Sequence, residues 1–409
     1  MKSWPSPPVP PLAPSGQWPR LFDTRTGSVQ DFAPHDPDRA TLYVCGITPY
    51  DSTHMGHAMT YHAADLMRRI VADAGVPTLL AENVTDVDDP LFERAARDGV
   101  DWQWLAEDQV ALFRSDMEAL RILAPDHFES VSEAMPRIIR MVDQLRERGI
   151  AYSVPNGDGT SDWYQDMSRA GGFGGEAMVG ADAEAVFAER GGDPERPGKR
   201  DPLDPLVWKA ERPGEPAWDG GVLGRGRPGW HVECVAIADG GLGLPIDLQI
   251  GGDDLIFPHH EGSHAHARGL GYDEFARLYC HVGMVAYEGE KMSKSLGNLV
   301  FVSRLTARGV DPMAIRLVLM AHHYRTAWEW TDDALERAND RLETYRAAAF
   351  STRDDEAEVE AVRAALREDL DTPRVLEILD AWAEAGGGRG MAPALDALTG
   401  ITLARDEAL

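Results

Sequence analysis

The segment Thr-Leu-Tyr-Val-Cys-Gly at residues 41–46 begins the part of the chain that decides the fold. Its apolar and β-branched residues end at a glycine, and this pattern predicts a short buried strand. A loop to Thr53, a helical stretch through Asp73 and a second strand over residues 77–82 follow. Strand, helix and strand in this order predict a β-α-β unit with a right-handed crossover, and therefore a parallel sheet.

Strand signals return late in the chain, at residues 246–250 and 281–287, with a helix predicted over residues 259–270 between them. Added to the first unit, they predict a doubly wound, Rossmann-like α/β domain. Residues 102–148 have a helical pattern, whereas residues 155–229 are dense in glycine, proline and aspartate. Such a composition is typical of irregular structure and predicts an insertion within the nucleotide-binding domain.

The length of 409 residues suits two or three domains. The first 19 residues contain seven prolines, which predicts an extended arm on the surface. After Val302 apolar residues recur at helical spacing. We therefore predict an N-terminal arm over 1–35, a nucleotide-binding domain formed by 36–105 and 224–300, an inserted helical and loop region over 106–223, and a C-terminal helical bundle over 301–409.

Charge and cysteine content narrow the classes of function. The 40 basic and 68 acidic residues leave a net charge of −28, whereas proteins that bind nucleic acid draw much of their affinity from lysine and arginine. Residues 301–409 contain 13 arginines, no lysine and 21 acidic residues, so this region suits tRNA poorly. Three cysteines far apart argue against disulfides, and no apolar run could span a bilayer. We expect a cytoplasmic monomer.

Two short motifs follow predicted strands. His54-Met55-Gly56-His57 precedes the first helix, where free backbone N–H groups favour a phosphate and a glycine allows close approach of a nucleotide. Lys291 and Lys294 lie in Lys-Met-Ser-Lys-Ser, and two lysines in a loop can stabilise departing pyrophosphate. Alone, such histidines are more often structural and such lysines more often solvated. Their combination in this order favours nucleotide chemistry.

Together these motifs resemble the HIGH and KMSKS signatures of class I aminoacyl-tRNA synthetases. Further blocks resemble the cysteine branch of that class, and they are YVCG at 43–46, NVTDVDD at 83–89, PGWHVEC at 228–234 and FPHHE at 257–261. For that branch the resemblance implies one zinc ion held by Cys45, Cys234 and His259. Thiolate and imidazole suit zinc, and an open position could take the thiol of cysteine, which serine lacks.

Other interpretations of these residues stay open at this point. Cys45 and Cys234 could instead be small buried residues that pack as hydrophobic side chains. For Cys280 this packing role is the one we expect. The family's further metal ligand, four residues after the histidine, is Ser263 here, so we expect three protein ligands completed by water or cysteine. His260 and the histidine at 264 share a helical face, but a second metal there is not favoured.

The resemblance narrows to the cysteine:glucosaminyl-inositol ligases of mycothiol biosynthesis. It is carried by GITPYD at 46–51, DPLFER at 89–94 and ERGGDP at 189–194, and it extends from about Trp4 into the helical C-terminus. It implies that ATP, with Mg²⁺, activates L-cysteine as an acyl-adenylate whose cysteinyl group passes to the amine of glucosaminyl-inositol. The acidic C-terminal region agrees with an acceptor other than tRNA.

The same resemblance implies roles for individual residues. His54 and His57 would contact the phosphates of ATP, and Lys291 and Lys294 the pyrophosphate. Thr85 and Trp230 would face the cysteinyl group. The other implied contacts to substrate or adenylate are Cys45, Gly46, Ile47, Thr48, Thr60, Asn83, Val84, Gly252, Asp253, Asp254 and Val285. For the two valines the alternative is simple core packing.

Two rival functions remain. The nearer one is a cysteinyl-tRNA synthetase, which would need tRNA as the acceptor of the cysteinyl group. The other is a noncatalytic zinc or nucleotide sensor on the same fold, which loss of a motif histidine or lysine would favour. All four motif residues are present, and this favours an active enzyme. The sequence does not identify the base that would deprotonate the acceptor amine.

Overall fold

The computed structural model describes residues 1–49, 53–175, 178, 180–291 and 299–405 of the chain. Strands within this part are short and form four sheets. Their bounds are β1 Arg20–Asp23, β2 Ser28–Asp31, β3 Ala40–Val44, β4 Thr78–Val84, β5 His127–Ser130, β6 Ala151–Pro155, β7 Ser161–Gln165, β8 Leu206–Ala210, β9 Trp218–Asp219, β10 Arg225–Pro228, β11 Ile246–Gly252, β12 Ala276–Val282, β13 Val285–Tyr287, β14 Glu290–Lys291 and β15 Trp328–Glu329.

Helices occupy most of the remaining described residues. Their bounds are α1 Met55–Asp73, α2 Asp89–Asp98, α3 Trp102–Ala119, α4 Val131–Glu147, α5 Met167–Ala170, α6 Ala183–Glu189, α7 Trp230–Leu242, α8 Glu261–Leu270, α9 Val302–Ala307, α10 Pro312–Met320, α11 Asp332–Ala348, α12 Glu356–Arg367, α13 Thr372–Glu384 and α14 Met391–Thr399. In the part of the chain that the structure describes, no helix has the length and apolar character to cross a membrane.

The central sheet has the strand order β12-β11-β3-β4-β5, and all its neighbours are parallel. Every residue of β3 is buried, as expected for a strand covered on both faces. Leu42 and Val44 join a core layer with α1, whereas Tyr43 and Cys45 join a second layer with α4, α7 and α8. This arrangement confirms the predicted doubly wound, Rossmann-like α/β fold.

Two parts of the predicted insertion over 106–223 were wrong. β5 lies within it but pairs with β4 in the central sheet, through partners such as Ala81 and His127. Ser130 at the end of β5 caps α4 through a capping box with Glu133, so strand and helix follow each other directly. The region is also not merely helices and loops, because β6, β7, β8, β10 and β9 form an antiparallel sheet.

The described residues towards both ends of the chain pack against the core layer of α1. Most of the N-terminal arm is exposed or half-buried, whereas Trp4 is only 4% exposed and donates a hydrogen bond to the carbonyl of Ile122 at 2.8 Å. The hairpin β1–β2 follows it. Towards the other end α9 begins at Val302 and is followed by α10 to α14, and β15 pairs in parallel with β13.

Candidate active site

A cleft of about 510 Å³ opens beyond the carboxyl ends of β3 and β11. These neighbouring strands are followed by α1 and α8, which belong to the two different core layers. The gap between such divergent connections is where doubly wound folds bind ligands. Fifteen of the residues implied by the resemblance line this cleft: Cys45, Gly46, Ile47, Thr48, His54, His57, Thr60, Asn83, Thr85, Trp230, Cys234, Gly252, Asp254, His259 and Val285.

Among the described side chains, two implied residues do not line the cleft. Val84 has no exposed surface and packs in the core, as its alternative interpretation stated. Asp253 lies in the turn that follows β11 but does not line the cleft. The backbone of Lys291 pairs with Ala286, whereas Lys294 lies outside the described residues.

Cys45, Cys234 and His259 form the cluster that could hold a metal ion. Their ligand atoms all lie within 4.8 Å of one another, and all three residues are buried. Cys45 follows β3 and Cys234 lies on α7, where its Sγ is 3.3 Å from Nε2 of His259. Two sulfurs and an imidazole nitrogen are a donor set that zinc favours, and the cleft leaves a further coordination position accessible. The residues therefore fit a zinc ion.

The pKa values of the two thiols in this cluster are shifted in opposite directions. Burial raises the pKa of Cys45 well above its usual range. A hydrogen bond from Cys45, aided by His259, lowers the pKa of Cys234 well below its usual range. The protein alone therefore favours one thiol and one thiolate at the cluster, and binding of a metal would release the remaining proton.

A buried chain of hydrogen bonds supports Cys45. Gln249 donates from its amide nitrogen to Sγ of Cys45 at 3.3 Å and to the carbonyl of Ile250 at 3.2 Å. The same amide nitrogen lies 2.9 Å from Nε2 of His260, and because an amide nitrogen can only donate, Nε2 of His260 is an acceptor there, 3.2 Å from the sulfur. The proton of His260 then lies on Nδ1, which donates to Nε2 of His281 at 2.7 Å. Burial lowers the pKa of both imidazoles, which keeps them neutral.

The metal-ligand candidate His259 is held from two sides. Its Nδ1 lies 2.9 Å from Nδ1 of His231, and the ring of Trp230 lies 4.5 Å from its own ring. Since Nε2 faces Cys234, the proton of His259 resides on Nδ1 and points to His231. Ser263 donates to the carbonyl of His259 at 3.0 Å, an ordinary helical contact. Among described residues the cluster thus has three protein ligands.

His54 has a role that the sequence did not reveal. Its Nδ1 accepts hydrogen bonds from the backbone N–H groups of Gly56 at 3.1 Å and His57 at 3.4 Å, so it caps α1. The free backbone N–H groups expected before the first helix therefore do not include those of Gly56 and His57 in this structure. The proton of the neutral imidazole then lies on Nε2, and the ring stacks on His57 with centroids 3.8 Å apart. A Cβ at Gly56 would meet the ring of His54 at 2.9 Å.

Asn83 organises the loop that follows β3. Its side-chain oxygen accepts from the hydroxyl of Tyr43 and from the backbone N–H of Gly46, both at 2.8 Å. Its amide nitrogen donates to Oγ1 of Thr85 at 2.9 Å. A Cβ at Gly46 would lie 1.5 Å from the carbonyl oxygen of Asn83, so only glycine fits there. Asn83 therefore joins the ends of β3 and β4 into one wall of the cleft.

The chain after the lysine motif returns to the histidine motif. The N–H of Met55 donates to the carbonyl of Val300 at 2.9 Å, and the N–H of Val302 donates to the carbonyl of Thr53 at 3.0 Å. Leu299, just before this contact, lines the cleft. The described residues that follow the lysine motif are thus anchored beside His54 and His57, although the two motifs are far apart in sequence.

Six further residues line the cleft although sequence reasoning missed them, and they are Tyr61, Leu255, Val282, Gly283, Met284 and Leu299. Each lies within a few positions of a motif or a predicted strand end, which was the available signal. The supporting residues Gln249, His231 and His281 carried no signal that would have separated them from core residues. Their roles follow from contacts between distant segments.

The model of the tRNA synthetases class I (C) catalytic domain matches residues 31–340. The L-cysteine:1D-myo-inositol 2-amino-2-deoxy-alpha-D-glucopyranoside ligase of Brachybacterium faecium is 61% identical over 98% of this chain and 100% of its own. The ligase of the same name from Cellulomonas flavigena is 52% identical over the same shares of the two chains.

Solved structures show the same fold at low identity. The methionyl-tRNA synthetase of Mycobacterium tuberculosis bound by methionyl-adenylate matches with a TM-score of 0.62 and 16% identity, over 89% of this chain and 88% of that one. The likeness supports the fold alone. From its matching domain and its near full-length relatives, the chain belongs to the class I (C) tRNA synthetase family and, within it, to the L-cysteine:1D-myo-inositol 2-amino-2-deoxy-α-D-glucopyranoside ligases.

Proposed function

We propose that the protein uses ATP to join L-cysteine to the amine of 1D-myo-inositol 2-amino-2-deoxy-α-D-glucopyranoside, through a cysteinyl-adenylate, with release of AMP and pyrophosphate. The observation that carries this proposal is the buried cluster of Cys45, Cys234 and His259 in the same cleft as His54 and His57. One cleft thus contains a cluster that could bind the thiol of cysteine through a metal ion and a motif that suits the phosphates of ATP. This combination suits activation of cysteine by ATP. The names of the near full-length relatives supply the acceptor.

In the first half-reaction the carboxylate of cysteine attacks the α-phosphorus of Mg²⁺-bound ATP, in line with the departing pyrophosphate. Cys45, Cys234 and His259 would hold Zn²⁺, which supplies a coordination position for the thiol of the substrate. Nε2–H of His54 and the ring of His57 bind the phosphates. Lys291 and Lys294 neutralise the pyrophosphate as it leaves.

The remaining cleft residues orient the two halves of the adenylate. Thr85 and Trp230 bind the cysteinyl group, since Trp230 packs directly on the ring of His259. Gly252 ends β11 and Asp254 follows it, so the carboxylate of Asp254 can accept hydrogen bonds from the ribose hydroxyls. The wall from Gly46 to Thr48, with Thr60, Asn83 and Val285, excludes water from the adenylate. Such positioning supplies most of the rate enhancement in reactions of this kind.

The surroundings of the reaction are also part of the proposal. All three cysteines are free and buried, which suits a reducing cytoplasm. We further propose that the protein acts as a monomer. We also propose that it acts without tRNA, because residues 301–409 carry 21 acidic residues against 13 arginines and no lysine.

The test is cysteine-dependent AMP formation from ATP by the purified protein, with the amino sugar, with tRNA and with neither acceptor. We expect stimulation by the amino sugar and a cysteinyl amide identified by mass spectrometry. Exchange of labelled pyrophosphate into ATP should require cysteine and should stay at background with serine. Stimulation by tRNA alone would instead identify a cysteinyl-tRNA synthetase, and absence of ATP turnover in all arms would favour a sensor.

A further inference from the structure

One carboxylate lies directly behind the wall of the cleft and has no part in the assignments above. Oδ2 of Asp88 accepts a hydrogen bond from Oγ1 of Thr48 at 3.2 Å, and Thr48 lines the cleft. The neighbouring wall residue, Thr85, lies three positions before Asp88 and donates from its N–H to the carbonyl of Ile47 at 2.9 Å. A single hydrogen bond, from the cleft-lining side chain of Thr48, therefore connects Asp88 to the cleft.

The carboxylate of Asp88 keeps capacity for a further donor. Its Oδ1 accepts from the backbone N–H of Asp89 at 2.9 Å, as the N-cap of α2, and its Oδ2 accepts from Thr48. Each carboxylate oxygen can accept two hydrogen bonds. The nearby guanidinium of Arg227 is bound instead to Asp89 and to Glu215. Asp88 is half-buried, so an incoming donor can reach it.

The surroundings of Asp88 favour a cation. Glu233 on α7 is 1% exposed, and its Oε2 has no hydrogen-bond partner among the described residues. Burial, reinforced by the charges of Asp88 and Asp86, raises the pKa of Glu233 well above its usual range and so favours its neutral form. Asp86 is itself buried and accepts from the N–H of Ser132 at 2.9 Å. Asp86 and Asp88 together make a negative potential beside the wall of the cleft, and such a potential attracts an ammonium group.

Building on the function proposed above, we infer that Asp88 receives the acceptor amine: its carboxylate binds the ammonium group beside Thr48 and removes one proton. The freed nitrogen lone pair then forms the C–N bond to the cysteinyl carbonyl carbon. The bond between that carbon and the phosphate oxygen of AMP breaks, and its electron pair leaves with AMP. The nitrogen loses its second proton to the leaving phosphate, and Asp88 returns its proton to solvent.

The electrostatics of Asp88 suit this task. Burial, opposed by the hydrogen bond from Thr48 and reinforced by the charge of Asp89, raises the pKa of Asp88 to about 6. Arg227 from β10 lowers it, and Glu233 faces it from α7. A base with a pKa near the working pH is ionised when the amine arrives and can still take up a proton. The rate of transfer should therefore rise with pH through about 6.

The test replaces the charge and keeps the fold. Asp88→Asn retains an N-cap side chain and a partner for Thr48 but cannot take a proton, and Asp88→Ser is a second N-cap variant in case the first is unstable. Glu93→Gln, on the exposed part of the same helix, is the matched control. Thermal unfolding shows that each variant is folded. Pyrophosphate exchange reports the first half-reaction, and mixing preformed cysteinyl-adenylate on the enzyme with acceptor reports the second.

We expect Asp88→Asn to slow transfer to the amino sugar about 100-fold or more, with a much smaller loss in pyrophosphate exchange. Transfer to hydroxylamine, which is largely neutral at pH 7 and needs no base, should fall at least about tenfold less than transfer to the amino sugar, and the rise through pH 6 should vanish. Equal loss with both nucleophiles, or wild-type transfer to the amino sugar, would overturn the role of Asp88. A wild-type protein that activates no cysteine would overturn the proposed function itself.

Discussion

Asp65 in α1 and Arg316 in α10 form an ion pair of 2.7 Å although neither side chain has any exposed surface. Arg69 donates to the same carboxylate at 2.9 Å, and the backbone N–H of Leu123 donates to its other oxygen at 2.9 Å. Arg316 also donates to the carbonyl of Leu120 at 2.6 Å. This cluster ties the helices after Val302 to the first helix of the nucleotide-binding domain.

Removal of the central charge should destabilise the whole fold. Asp65→Asn leaves two buried guanidinium groups with reduced compensation, and we expect a loss of about 3–5 kcal/mol in the free energy of unfolding. Asp98→Asn removes a carboxylate of similar type from an exposed pair with Arg94, so that variant should unfold like the wild type. Urea denaturation followed by circular dichroism measures both. Equal stability of the two variants would contradict the structural role of the buried pair.

The same cluster predicts that the free energy of unfolding depends on pH. Burial alone would raise the pKa of Asp65, but the charges of Arg69 and Arg316 outweigh it and lower the pKa from 3.8 to about 2. A carboxyl with a lowered folded pKa contributes stability above its unfolded pKa, and this contribution disappears as pH falls from about 4 to 2. The loss should be about 2.5 kcal/mol in the wild type. Asp65→Asn should lack this part of the acid destabilisation when both are titrated with urea.

The metal-ligand candidates can be tested against the third cysteine. Cys234→Ser should reduce bound zinc to near zero and weaken cysteine binding, since serine is a poor zinc ligand, while the melting temperature changes little. Cys280→Ser is the control, because Cys280 is equally buried and its Sγ donates to the carbonyl of Phe22 at 3.3 Å, a contact that a hydroxyl can keep. Elemental analysis and calorimetric titration with cysteine give the answer. Full zinc content in Cys234→Ser would exclude Cys234 as a ligand.

Gly46, in the loop that follows β3, should not tolerate a side chain. In Gly46→Ala the new methyl group would lie 1.5 Å from the carbonyl oxygen of Asn83, so the wall of the cleft must shift. We expect pyrophosphate exchange to fall by about tenfold or more, and stability to fall by about 1–3 kcal/mol. Gly214→Ala is the matched control, since nothing lies within 4 Å of a Cβ there. Gly214→Ala should lower the free energy of unfolding by about 1 kcal/mol, because only the positive φ disfavours alanine there, and activity should be retained.

The sequence predicted the parts of the fold that have strong local signals. β3 and β4 lie within two residues of their predicted bounds, and α1 ends at Asp73 as predicted. β5 was missed because a four-residue strand with three polar members, His-Phe-Glu-Ser, has little pattern of its own. It becomes a strand by pairing with β4. β10, with the sequence Arg-Gly-Arg-Pro, was missed for the same reason.

The candidate site likewise contains residues that sequence motifs predicted and residues that only the folded structure reveals. Cys45, Cys234 and His259 were reached through motifs that resemble a known family, and the structure brings their ligand atoms within 4.8 Å. The residues behind them could not be reached in this way. Gln249 reads as an interior position of a buried strand, and only the folded chain brings its amide to Cys45. The capping role of His54 likewise depends on a side-chain rotamer that sequence does not encode.

The side chains behind Cys45 lead to the last prediction. Nε2 of His260 lies 3.2 Å from the sulfur and accepts from the amide of Gln249, which also donates to Cys45. Loss of this imidazole should therefore disturb the hydrogen bond to the sulfur and weaken metal binding while the three ligands remain. We expect His260→Gln to lower zinc affinity about 10–100-fold in chelator competition. Cobalt substituted for zinc should show a shifted sulfur-to-metal charge-transfer band. His264→Gln is the control, because that buried histidine contacts the hydroxyl of Tyr279 instead. Equal zinc affinity of both variants would show that the hydrogen bond to Cys45 does not tune the metal.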